Sequence, residues 1–139
     1  MKLLEFEQLC RDASEELGVA DTGAFGQGFP MRFDGVLFET TFREERASFL
    51  VTAELGTVSA PDKSGVYENL LTIQTLAWDR PRVRFGFDPW RQAVLLCVEA
   101  SDGPHLCGAW LAMLVRQLAL QVAEWRETLL AGRATAVTL

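Results

Sequence analysis

Apolar residues recur at three- and four-residue spacing from the start of the chain. Leu3, Phe6, Cys10, Ala13 and Leu17 form one stripe, and Leu4 and Leu9 widen it. Glu5, Glu7, Arg11, Asp12, Glu15 and Glu16 fill the opposite side. That period predicts an amphipathic helix over residues 2–18. Gly18 is its natural stop, because glycine takes the left-handed conformation without a Cβ clash.

The helical period then gives way to Gly23, Gly26, Gly28, Pro30 and Gly35, which predict a loop with a short strand at Met31–Phe33. Two strand-like runs follow. Val36–Arg43 is rich in β-branched and aromatic residues and puts Phe38, Thr40 and Phe42 on one face. Ala47–Val58 alternates Phe49, Val51, Ala53 and Leu55 against Leu50, Thr52 and Glu54. The charged link Glu44-Glu45-Arg46 reads as the hairpin loop between them.

A turn at 60–65 precedes a second helix over 66–79. Its apolar arc is wide: Val66, Leu70, Ile73 and Ala77 form one row, and Tyr67, Leu71, Gln74 and Trp78 another. A helix apolar over most of its surface is covered on two sides. One side faces its own sheet, and the other is available to a second subunit. Pro81 ends this helix. Arg82–Asp88 alternates strictly, with Val83, Phe85 and Phe87 facing one way, and Ala93–Glu99 is a continuous apolar run covered on both faces.

Ser101-Asp102-Gly103-Pro104 is read as the start of a last helix, stopped by Gly132. Its stripe is Leu106, Trp110, Leu114, Leu118, Val122, Trp125 and Leu129, reinforced by Leu111 and Met113. The expected fold is therefore α+β. Three helices gather on one face of an antiparallel, twisted sheet of about five strands, in the order α-β-β-(β)-α-β-β-α. A single domain is expected over 1–132, with a flexible tail at 133–139.

Composition narrows the function. The chain has 139 residues and a net charge of −6, with 13 Lys and Arg against 19 Asp and Glu. No Lys/Arg-rich run is present, which argues against nucleic acid as a partner. An acidic surface suits solubility and a basic partner segment. No signal-peptide pattern opens the chain and no stretch is apolar enough to span a bilayer, so a cytosolic protein without membrane insertion is expected. Nine Phe and four Trp are more than a small core readily hides, and exposed apolar patches mark partner sites.

Candidate chemistry is sparse. Cys10, Cys97 and Cys107 form no C-x-x-C pair and read as free, buried thiols. His105 is the single histidine, so neither a metal site nor a Cys/His or Ser-His-Asp arrangement is supported, and no cofactor is expected. The Gly-rich segment lacks the G-K-[ST] ending of a phosphate loop and does not lie between a strand and a helix. Glu15-Glu16 and Glu44-Glu45 are ordinary solvated charges. The protein is expected not to be an enzyme.

From the second helix onward the chain resembles the class I chaperones of bacterial type III secretion, the Tir-chaperone-like (CesT-type) family. The resemblance is carried by Tyr67-Glu68-Asn69-Leu70-Leu71 leading to Leu76-Ala77-Trp78, by Phe85-Gly86-Phe87-Asp88, by Val94-Leu95-Leu96, and by Glu124-Trp125-Arg126-Glu127-Thr128-Leu129-Leu130. The first half fits by pattern, and its Gly-rich 23–28 segment has no match in the family. The resemblance implies a homodimer in the bacterial cytoplasm. It would bind the N-terminal region of a secreted effector protein, keep it secretion-competent and aid its delivery, without ATP. It assigns Leu70, Ile73, Gln74, Ala77, Trp78 and Val83 to the dimer interface. It assigns Leu4, Phe33, Leu37, Phe38 and Phe49 to effector binding.

An extended client can supply side chains to such patches and add a strand to an open sheet edge. Two alternatives stand beside this reading. One is a regulatory module of the same fold that sequesters a protein regulator of secretion genes. The other is a small-molecule-binding domain, which requires a deep pocket with convergent polar groups.

Overall fold

The computed structural model describes residues 1–77 and 83–132; the side chain of Val83 also lies outside the description. The first helix, α1, spans Leu3–Leu17. Gly18 closes it at φ 76°, donating its N–H to the Glu15 carbonyl, while the Val19 N–H reaches the Ser14 carbonyl. Phe6, Leu9, Cys10, Ala13 and Ser14 are buried. The Ser14 hydroxyl satisfies itself on the Cys10 carbonyl at 2.8 Å.

The Gly-rich segment has a packing role. A 3-10 turn at Phe25–Gln27 lies directly on α1. A Cβ on Gly26 would sit 3.1 Å from the Glu7 Cα and 3.2 Å from the Cys10 Cβ. The Thr40 hydroxyl donates to the Phe25 carbonyl at 2.6 Å and ties the turn to the sheet.

The strands are β1 (Met31–Phe33), β2 (Val36–Arg43), β3 (Ser48–Gly56), β4 (Val83–Asp88) and β5 (Ala93–Ser101). They form one antiparallel sheet in the order β1-β2-β3-β5-β4. The expected third strand of the first half is thus real. Register aligns the apolar parities across the sheet: Phe38 opposes Ala53, Val51 opposes Val98, and Phe85 opposes Leu96. This common face carries the core, with Val36, Phe38, Phe49, Val51, Leu55 and Leu96 almost wholly buried. Phe6 of α1 stacks on Phe42 at 4.6 Å and tilts against Phe49 at 5.0 Å. The inner face of the interior strand β5 (Val94, Leu96, Val98 and Ala100) is buried, but on its other face Leu95 and Glu99 are only half-buried, so the expected cover on both faces is incomplete.

The second helix, α2 (Lys63–Leu76), begins three residues earlier than its apolar pattern suggested, directly after a 3-10 turn at Ala60–Asp62. Its expected end at Trp78 to Pro81 lies outside the described residues, as does the tail at 133–139. The third helix, α3 (Gly108–Glu127), starts later than expected. The ladder continues to Ser101, which pairs with Ser48, and 102–107 form a connection held by a Leu106 N–H bond to the Gly103 carbonyl. Pro104 therefore belongs to that connection.

The buried face of α3 is also rotated from the expected stripe. Leu111, Ala112, Val115, Leu118, Ala119 and Val122 are inside, whereas Met113 is exposed and Trp110, Leu114 and Trp125 are half-buried. The cause is the close crossing of α1. A Cβ on Gly108 would lie 2.5 Å from the Asp12 Cβ and 3.1 Å from the Ala13 nitrogen. Small residues line the approach, and a pattern weighted toward large side chains points past them.

Arg126 pins the end of α3 to the sheet. Its guanidinium donates to the carbonyls of Leu55 at 2.8 Å, Glu54 at 2.9 Å and Gly35 at 3.1 Å. The Glu54 and Leu55 carbonyls lie at the register shift between Glu54 and Gly56, where the β3 ladder is interrupted.

Replacing Gly108 by Val should separate α1 from α3 and lower stability by about 1–3 kcal/mol, the usual cost of overpacking. Urea unfolding followed by circular dichroism measures this as a lower midpoint with an unchanged slope.

Candidate protein-docking surfaces

The three helices pack on one face of the sheet, and α2 sits at the β4 margin. Tyr67 meets Phe87 edge-on at 6.4 Å, and the Gln74 side-chain oxygen accepts the Phe85 N–H at 2.9 Å. Val66 and Leu70, one turn apart, are the buried residues of this helix. Leu71 is 69% exposed and Leu76 63% exposed, with Ile73 and Ala77 half-buried between them. The wide apolar arc therefore exists, and its outer half has no cover among the described residues.

The residues assigned to a dimer interface separate accordingly. Leu70 belongs to the protomer's own core, because its turn faces the sheet. Gln74 already serves as a side-chain cap on the β4 edge. Ile73 and Ala77 border the uncovered strip. Trp78 and the Val83 side chain lie outside the described residues. Leu71 and Leu76, which that assignment leaves out, are the more exposed apolar residues of α2, and Leu71 stands in the second apolar row. The signal was the width of the arc, which shows that two faces are apolar but not which row faces inward.

The effector-binding assignments also divide. Phe38 is 0% and Phe49 1% exposed, so a client cannot touch either without opening the core. Their alternation marks the inner face, and both leave the client set. Leu4, 78% exposed, borders a groove of about 500 Å³ between α1 and the 102–108 connection, shared with Gln8 and Leu106. Phe33 is half-buried beside a second groove of about 440 Å³ lined by Leu17, Val19 and Pro30. Leu37 is half-buried on the opposite sheet face, where no helix packs among the described residues. Leu4, Phe33 and Leu37 thus occupy three separate places. Phe29, just before β1, is a further exposed apolar residue.

The two sheet edges differ. At β4, Gln74 occupies the Phe85 N–H. At β1, a three-residue strand ends the sheet, with no neighbouring strand on its outer side among the described residues. Short edge strands limit unwanted pairing yet can still accept one added strand.

The β4–β5 turn is rigidly built. Arg91 donates to Asp88 at 2.9 Å and also pairs with Glu39 across the sheet. The Arg91 side chain, followed by the backbone N–H groups of Arg91 and Trp90, holds the Asp88 carboxyl below the usual carboxylate range. This turn presents Trp90 at 94% exposure.

Cys10 and Cys97 are buried and not disposed for chemistry, whereas Cys107, expected to be buried as well, is exposed. Burial, and secondarily the neighbouring Glu7 carboxylate, pushes the Cys10 thiol up to about 12. Burial also raises Cys97, partly offset by Arg84. Both stay protonated at neutral pH, and the thiolate is the reactive form. His105 packs edge-on against Trp110 at 5.4 Å. No cluster of metal-ligating side chains occurs among the described residues, and none of their helices is long and apolar enough to cross a membrane.

Solved structures share this architecture. A chain of the ExsC–ExsE complex superposes with a TM-score of 0.73 at 17% sequence identity, covering 91% of this chain and 95% of that one. A chain of the HopA1–SchA chaperone–effector complex gives a TM-score of 0.66 at 16% identity, covering 91% and 96%. At these identities the likeness establishes the fold, and it includes the first half of the chain, matched by pattern alone in the sequence. No protein-family model and no curated protein matches the chain.

Thiol labelling at neutral pH should separate the cysteines. Cys107, which is exposed, should react with an aromatic disulfide reagent at once, whereas Cys10 and Cys97 should react only after denaturant is added. Mass spectrometry of the labelled peptides identifies the sites.

Proposed function

We propose that this protein is a homodimeric chaperone of bacterial type III secretion. It binds the N-terminal region of a secreted effector in the cytoplasm, keeps it soluble and unfolded, and aids its delivery to the secretion apparatus. The observation that carries this reading is the shared fold over 91% of the chain with members of protein complexes, one of them a chaperone–effector complex. The uncovered apolar residues support it, because they lie on α1, at the β1 margin and on α2 rather than around one deep pocket.

The mechanism needs no cofactor and no bond-making step. An effector segment that cannot bury its own apolar side chains supplies them to the grooves at Leu4 and Phe33, and to Leu37 on the open sheet face. Backbone pairing along β1 adds affinity that is independent of client sequence. Contacts dispersed along an extended chain hold the client without giving it a fold, so it can be handed on by release of individually weak contacts.

The second copy covers the outer strip of α2. Leu71 and Leu76 form its centre, with Ile73 and Ala77 at its border and Trp78 and Val83 beside them in the assignment made by resemblance. Burying a leucine is worth about 1.5–3 kcal/mol, and two per protomer give roughly 6–12 kcal/mol per dimer against an association cost of about 4–15 kcal/mol. The leucines alone roughly balance that cost, so the flanking Ile73 and Trp78 decide whether the dimer persists.

Light scattering at micromolar concentration should give the mass of a dimer, and the double variant L71D/L76D should give a folded monomer. A monomeric parent protein removes the interface. Co-expression with tagged N-terminal segments of the secreted proteins encoded nearby should co-purify at least one of them. Replacing Leu4 by Asp should reduce recovery at unchanged circular dichroism. Failure of every segment counts against the chaperone reading.

A further inference from the structure

The open sheet face carries a pocket unlike the apolar grooves. It encloses about 350 Å³ beside the β2–β3 hairpin and is lined in part by Arg43, Arg46, Arg84, Glu99, Gly86 and Cys97. Three arginines lining one small space stand out in a chain of net charge −6. Their convergence follows from the hairpin. Arg43 is the last residue of β2 and pairs with Ser48. Arg46 sits in the 3-10 turn at Glu44–Arg46, and Ala47, at φ 48°, sends the chain back into β3. Arg84 comes from β4, next to Cys97 in register.

The charges are not balanced within the pocket. Arg84 pairs with Glu99 at 3.1 Å, which accounts for one cation. Arg43 and Arg46 make no ion pair among the described residues. The acidic residues between them do not line the space, and Glu44 is instead 3.4 Å from the Lys2 ammonium. The floor is held open by Gly86, since a Cβ there would lie 3.1 Å from the Cys97 sulfur. The pocket thus pairs two uncompensated guanidinium groups with a partly apolar floor. That combination fits a carboxylate on a short aliphatic stem, because guanidinium forks take carboxylates in bidentate fashion.

We propose that this pocket receives a single acidic side chain of the extended client and so fixes the register in which the client lies across the sheet. The proposal rests on the chaperone reading above and adds a charge-specific anchor to it. The acidic remainder of the surface favours basic client segments, which makes one local cationic pocket a marker of position rather than a general attractor. Apolar grooves tolerate sliding by one side chain, whereas a charge-assisted pair does not.

The test uses the full chain and a short fluorescein-labelled peptide of alternating Val and Ser with one central Glu, compared with its Gln counterpart by fluorescence anisotropy. The Glu peptide should bind about tenfold more tightly, the scale of one charge-assisted pair. The variant R43Q/R46Q should bind both peptides alike at unchanged circular dichroism. R11Q, which removes a like charge from α1, should keep the preference. Equal binding of the two peptides, absence of binding, or loss of preference in R11Q overturns the proposal. Competition by millimolar inorganic phosphate at the same strength as by unlabelled Glu peptide also overturns it, since the pocket would then read any anion. An effector segment that co-purifies equally with R43Q/R46Q, while both peptides bind alike, removes the anchor and leaves the chaperone reading standing.

Discussion

The close crossing of α1 and α3 at Gly108 governs the rest of the molecule. With no side chain at that point, the two helices lie near enough to share one face of the sheet and fill most of its core. Gly26 plays the same part on the other flank of α1, where the 3-10 turn presses on Glu7 and Cys10. Once α1 and α3 occupy the face, α2 is left at the β4 margin with Val66 and Leu70 as its inward residues. The apolar surplus on α2 is therefore a product of how tightly the other two helices pack.

The same economy appears in the polar groups. Thr40, Ser14 and Arg126 are spent on backbone carbonyls, and Gln74 on a strand edge. No buried side-chain nitrogen or oxygen lacks a partner among the described residues. A molecule whose interior polarity is fully committed offers its remaining capacity at the surface. There it presents leucines and aromatics on helices and turns, two shallow grooves, one short free edge and one cationic pocket. Exposed aromatic groups of this kind are enriched where proteins meet other proteins.

The strands and helices were legible because their burial follows a simple period. Phe38, Thr40 and Phe42, or Phe49, Val51 and Ala53, alternate in the sequence and alternate in the sheet. What could not be read were matters of distance between elements. Alternation placed Phe38 and Phe49 on a strand face but did not say which face met helices, so both were assigned to a client and both proved to be core. The period of α3 was visible, yet its buried arc turned toward Ala112 and Ala119, whose small size is informative only once α1 is known to cross there. Pro104 suited a helix start equally well as a turn, and the pairing of Ser101 with Ser48 decided between them. The convergence of Arg43, Arg46 and Arg84 depends on the pairing of β4 with β5 and of β5 with β3, a relation far apart along the chain.

The strand order β1-β2-β3-β5-β4 places everything between Gly56 and Val94 in one excursion that begins and ends in the sheet's central ladder. Closing such a loop becomes only about 0.6 kcal/mol harder with each doubling of its length. The ladder of β3 with β5 consequently tolerates wide change in the segment it encloses. That segment carries α2 and β4, so its outward residues are free to diverge while the central strands stay constrained. The scaffold can therefore persist while that segment changes, and the same architecture is shared at 17% identity with a chain of the ExsC–ExsE complex.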